Sequence, residues 1–236
     1  MSPPAPILAR LRAETREAHE RLERLVPALE VRTLDAYAAL LARHHGSHAP
    51  LERRLAAAAA RLRGGPTPDG GAAEAGDPVA VAALDALDLP ARWKAPLLAR
   101  DLAELARRRG HSPPDLAALP VCTRLPAVDD LPGLLGTLYV LEGATLGGQL
   151  LLRHVGATLG LDAATGAAFH ASYGARVGPM WRAFGRALDR AVAAADGRAD
   201  GGGPAAGRVV AAAGGTFDAL ADWFADGAAP GGGAPA

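Results

Sequence analysis

The chain has 236 residues, half of them hydrophobic, with 29 glycines and 19 prolines but only 4 Phe, 3 Trp and 3 Tyr. The glycine and proline excess has no period, which excludes a collagen-like chain, and it stays below the range of about 25–30% that marks low-complexity sequence. Lys and Arg (25) balance Asp and Glu (25), so no net field draws nucleic acid or an anionic membrane, and the single Cys122 excludes an internal disulfide framework or a multi-cysteine metal site.

In chain order, Leu8, Leu11, Ala18, Leu22 and Leu25 lie at helical spacing, with Pro27 ending the run. Thr33 is placed to cap a second helix from Leu34 to Arg63, and Gly46 and Pro50 predict a kink or break in its middle. Residues 64–77 read as a flexible loop, followed by short helices over 78–87 and 93–109, whose Arg107-Arg108-Arg109 end reads as solvated. Five prolines make residues 111–132 an irregular connection. The chain turns helical again, though rich in glycine, over 133–159. A helix near 179–195, a flexible stretch at 196–203 and a last helix over 204–224 complete the pattern, with a flexible tail from Gly227.

No stretch alternates as a strand does, and the expectation is an all-α single domain over residues 1–226 with a tail at 227–236. Charges interrupt every apolar run before 18 residues, so no membrane span is expected. The start, Met1 to Ile7, has no secretory pattern, so a cytoplasmic protein is expected.

Three places could carry chemistry. His19 shares a helix face with Thr15 and Glu23, one turn away on either side, at the edge of an apolar stripe. That spacing suits a metal-ligating imidazole oriented by a carboxylate, and equally a boundary histidine paired with Glu23. Second, Leu138–Gln149 (LYVLEGATLGGQ) holds three glycines, Gly143, Gly147 and Gly148, within six residues of an otherwise helical apolar segment. Each costs about 1 kcal/mol relative to alanine. Either a large flat object approaches the backbone there, or another helix packs closely through small residues. Third, His44, His48 and Glu52 repeat at i, i+4 and i+8, a possible ligand stripe. Because Gly46 and Pro50 interrupt it, a basic, glycine-broken helix surface is the expected reading.

The chain lacks a Gly-x-Ser-x-Gly elbow, a phosphate loop and His-Glu-x-x-His, and no glutamate is followed three residues later by histidine, which disfavours a carboxylate-bridged di-iron bundle.

Together, Leu11–Glu23 and Leu138–Gln149 resemble the heme oxygenase family, most closely its bacterial, biliverdin-producing branch associated with phytochromes. His48–Glu52, Tyr173-Gly174, Trp181–Phe184 and the last helix with Thr216-Phe217 and Trp223 carry weaker likeness, so that it spans most of residues 8–226. The resemblance implies a helical bundle with heme, both substrate and cofactor, sandwiched between a proximal helix and a kinked distal helix. His19 would ligate the iron with Glu23 orienting it, and Gly143, Gly147 and Gly148 would lie under the porphyrin. Arg12 and Arg16, seven and three residues before His19, and Arg182 would meet the propionates, and Tyr139 and Tyr173 could donate hydrogen bonds.

The implied reaction is the cleavage of heme by O2 and electrons, from an external ferredoxin or reductase, to biliverdin, CO and ferrous iron. A bacteriophytochrome is a possible recipient of biliverdin. Many members carry an aspartate where this chain has Ala144, an exchange that bears on proton delivery, for which Thr145 is a possible substitute. Two alternatives share the fold: a heme carrier or sensor that does not degrade heme, and a heme-free thiaminase-like hydrolase. The hydrolase needs a reactive cysteine, and Cys122 sits in a proline-rich connection.

Overall fold

The computed structural model describes residues 6–26, 28–65 and 76–228. Among them are nine α-helices and no strand: α1 (Pro6–Glu14), α2 (Arg16–Leu25), α3 (Leu34–Leu62), α4 (Pro78–Leu87), α5 (Ala95–Arg108), α6 (Leu131–Leu159), α7 (Ala168–Ala171), α8 (Val177–Asp196) and α9 (Pro204–Ala228). The all-α expectation holds. The loop expected at 64–77 and the tail at 227–236 lie largely outside the described residues.

Side-chain oxygens set several helix starts. Thr33 accepts from the Ala36 amide at 3.1 Å, Asp77 from Val79 at 2.9 Å and Asp130 from Gly133 at 2.7 Å. The first helix differs from expectation by being divided at Thr15. There the hydroxyl donates back to the Leu11 carbonyl at 2.8 Å, a local bond that competes with regular helix geometry.

The second helix departs more sharply. α3 runs through Gly46 and Pro50 without a break. Proline has no N–H, so the Gly46 carbonyl four residues back is released from the helical ladder. It accepts instead from the Cys122 amide at 2.8 Å. A side chain at position 46 would overlap the Pro120 carbonyl oxygen. The two supposed breakers therefore form a notch in which residues 120–122 dock.

α6 and α9 form the central pair, packed along each other more extensively than any other two helices. Gly136 allows this approach: a Cβ there would overlap the Val209 carbonyl oxygen and come within 2.7 Å of the Ala212 Cβ. Around the pair, one apolar cluster joins residues of α1, α3, α4, α6, α8 and α9, including Leu51, Leu134 and Phe184. A second joins α3, α5 and the far half of α6 through Tyr37, Leu98 and Val155. No described helix is long and apolar enough to cross a membrane.

Candidate functional site

α2 packs on α9, and α9 on α6, so α9 forms the floor between the two flanking helices. His19, on α2, has a side chain 52% exposed. Its ring meets Phe217 of α9 edge-on, with centroids 5.5 Å apart. From the other side Phe217 meets Tyr139 of α6 at 6.5 Å, and Tyr139 meets Trp181 of α8 at 5.8 Å. The Trp181 ring closes the sequence, its Cη2 lying 4.0 Å from where a Gly143 Cβ would stand. The result is a continuous line of rings that joins an exposed imidazole on α2 to the glycine face of α6.

The two readings of the glycines separate here. A helix packed through small residues should bring atoms against the glycines, as happens at Gly136. Gly147 has nothing within 4 Å of a built Cβ, and Gly143 has only the edge of Trp181. Leu146 and Leu150, 42% and 49% exposed, share this side of α6 at helical spacing. The outward face is thus flat and apolar. Gly148 differs: its missing side chain makes room for His170, whose carbonyl oxygen would lie 3.3 Å from a Cβ. It serves the seating of α7 and not the open face.

These geometries support a contrast between two substitutions. Gly136→Ala should destabilise by about 2 kcal/mol through overpacking. Gly147→Ala meets open space and should stabilise the fold by up to about 1 kcal/mol through helix propensity. Urea unfolding of both variants checks this, and equal losses would contradict the difference in packing.

The remaining expected residues are distributed around these rings. Glu23 approaches His19, with Nε2 to Oε1 at 3.6 Å, longer than a hydrogen bond. Arg12, Arg16 and Arg182 are exposed. Burial raises the Tyr139 phenol above the ordinary range, with the nearby Thr15 hydroxyl and the Arg12 charge opposing. Arg182 folds back towards its own helix, its Nη1 3.2 Å from the Cβ position of Gly178. Thr145 is buried and donates to the Glu142 carbonyl at 2.7 Å, whereas Ala144 is exposed.

One polar cluster escaped the sequence reading, and a second is placed differently from expectation. Immediately before Gly143, the buried Glu142 carboxylate pairs with Arg92, accepts from the Tyr173 hydroxyl at 2.6 Å and lies 4.0 Å from Lys94. The Lys94 ammonium stands 3.7 Å over the Tyr173 ring, and burial lowers its pKa to about 8, with Glu142 and Glu52 opposing the shift. Glu52 accepts the Lys94 amide at 2.6 Å.

The second cluster overturns the solvated reading of His44, His48 and Glu52. His48 and Glu52 are buried, and His44 and His48 pack around Phe169 and His170. The repeat at i and i+4 was the available signal, masked by Gly46 and Pro50. No cluster of three or more potential ligands suited to a metal ion occurs among the described residues. Cys122 is also buried, which pushes its thiol up, away from the reactive thiolate a hydrolase needs.

Comparison with solved structures places the chain beside a heme oxygenase from Neisseria meningitidis, determined in NO- and CO-bound forms. The two share 21% identity over 97% of this chain and 98% of that one, with a TM-score of 0.61. The chain therefore has the heme oxygenase fold. No protein-family model matches it, and neither does any curated protein.

Proposed function

We propose that this chain binds heme in the groove between α2 and α6 and cleaves it, using O2 and electrons from an external ferredoxin or reductase, to biliverdin, CO and ferrous iron. One observation carries this reading. On a bundle shared from end to end with a heme oxygenase, the exposed His19 and the side-chain-free face of Gly143 and Gly147 stand at the two ends of one line of aromatic contacts through Phe217, Tyr139 and Trp181.

The residues suit an iron porphyrin. His19 would hold the iron through its imidazole, with Glu23 orienting the ring. Gly143, Gly147, Leu146 and Leu150 offer the macrocycle a broad apolar surface on which a Cβ at the two glycines would intrude. Arg12 and Arg16 are exposed cations on the His19 side for the propionates, and Arg182 serves the same end from α8 if its side chain turns outward. Tyr139 and Phe217 supply the aromatic floor. When bound, heme supplies both the oxygen-activating iron and the carbon that is oxidised. The protein's part is to orient the ring, to exclude bulk water and to fix which edge is exposed to reaction.

The likeness of LYVLEGATLGGQ supports the bacterial biliverdin-producing branch, a cytoplasmic setting and delivery of biliverdin to a bacteriophytochrome. Ala144, apolar and exposed, favours a second reading in which the same groove carries or senses heme without degrading it. The two are separated by supplying hemin and then a ferredoxin system in the presence of catalase. Formation of biliverdin is expected, whereas a heme spectrum that stays unchanged over many minutes would establish the carrier.

A further inference from the structure

α2, the ten-residue helix that carries His19, buries none of its residues. Its half-buried Ala18 and Leu22 lie against the apolar cluster that contains Phe217. Arg21 pairs with Asp218 and Asp222 of α9 at 3.0 and 3.8 Å, both on the surface. Exposed ion pairs contribute little, and so short a helix is marginal without packing. A metal ligand has to be kept within about 0.5 Å of its working position, which calls for a further attachment.

The chain supplies one directly after the helix. Leu25 and Val26 are half-buried against the apolar cluster that holds Leu151 and Val155 of α6, and Val31 is buried in that cluster. Between them a single 3-10 turn, Ala28–Glu30, packs on α6.

His154 of α6 reaches this segment. Its Nε2 lies 2.8 Å from the Val31 carbonyl oxygen. A carbonyl only accepts, and an unprotonated Nε2 would set its lone pair against that oxygen, so Nε2 carries the proton and donates it. Arg32 Nη1 stands 2.9 Å from the same nitrogen and donates to the Leu29 and Val31 carbonyls at 2.6 and 3.1 Å. Two donors, one from α6 and one from the segment itself, therefore converge on the Val31 oxygen.

The position of His154 gives this contact its meaning. It follows Gly143 by eleven residues and Gly147 by seven, which places it within about 20° of both around the helix. It shares the face of α6 that the two glycines leave open, about 10 Å beyond Gly147 and one turn past the exposed Leu150. The segment that continues the His19 helix is thus fastened to the glycine face of α6.

We propose that the fastening of Val31 and Arg32 to His154 sets the span between His19 and the Gly143–Gly147 face, and so holds the iron ligand in register with the surface on which the porphyrin lies. This rests on the heme-binding function proposed above. Arg32 and His154 are positioning residues, acting on the heme through α2. Without the fastening, α2 keeps only its contacts with α1 and α9.

The test is the rate at which the full-length protein, loaded with hemin, gives it up to excess apomyoglobin. His154→Phe keeps a ring but no donor, and should speed hemin loss by roughly three- to tenfold, the equivalent of one net hydrogen bond. His154→Gln restores a donor and should return most of the difference. Arg32→Ala should act in the same direction as His154→Phe. In the reduced protein the iron–imidazole stretch, read by resonance Raman, should broaden in His154→Phe and sharpen again in His154→Gln. The urea midpoint of the heme-free protein should stay at its wild-type value in all three. If His154→Phe does not fold, Arg32→Ala, at an exposed residue, decides. Hemin loss and an iron–imidazole band that none of these substitutions moves would overturn this inference alone. So would faster hemin loss matched by an equal fall in folding stability, since the fastening would then be a general support of the bundle. Failure of wild type to bind hemin would overturn it together with the proposed function.

Discussion

Replacing His19 by alanine is expected to reduce hemin turnover by more than about 100-fold, since it removes the proposed axial ligand, whereas loss of an orienting partner alone costs about 10- to 100-fold in affinity or activity. The fold should scarcely notice. The side chain is 52% exposed, and its edge contact with Phe217 is the main packing it loses. That contact is worth about 1 kcal/mol, partly offset by the better helix propensity of alanine. Urea unfolding should therefore shift by no more than about 1 kcal/mol while the ferric heme spectrum loses its imidazole character. Added imidazole should restore that character. A hemin complex of His19→Ala with the wild-type spectrum would show that iron is held elsewhere.

The opposite profile, a large loss of stability from a residue remote from the iron, is expected at Arg92. Its side chain is almost fully buried, donates to the Leu87 carbonyl at 2.6 Å and pairs with Glu142. Arg92→Met would leave the Glu142 carboxylate buried with only the Tyr173 hydroxyl at 2.6 Å and the Lys94 ammonium at 4.0 Å. Breaking one side of a buried ion pair costs about 3–5 kcal/mol. In a domain of this size that corresponds to a fall in Tm of roughly 10 °C. The double variant Arg92→Met/Glu142→Leu removes both charges and should recover much of the loss. Because Glu142 directly precedes Gly143, the pair also holds the first turn of the glycine face in place. A single substitution costing less than about 1 kcal/mol would contradict this anchoring role.

Much of the bundle was legible because apolar spacing and capping residues are local signals. Thr33 starts α3 where its sequence places a cap, and α6 and α8 fall within two residues of their expected limits. The glycine segment was visible as a forgone helix preference, but its purpose was not. Gly136 and Gly147 carry the same local information, and only the course of α9 makes one a packing contact and the other an open face.

The larger omission was the buried histidines. Gly46 and Pro50 suggested a broken, solvated helix because local rules treat them as interruptions. Their real partner, the segment at residues 120–122, lies some seventy positions further along the chain. Tyr37 meets His170 across 133 positions, and Arg92 meets Glu142 across 50. No periodicity reports pairings of that kind, and α7, four residues long, has too few turns to show one.

The central claim is that the groove between His19 and the Gly143–Gly147 face consumes the heme it binds. It is tested most directly by measuring CO released per heme lost when the wild-type hemin complex is reduced by a ferredoxin system with catalase present. One CO for each heme, accompanied by biliverdin, is the expected result. Heme that persists under reduction, or disappears without CO, would contradict it.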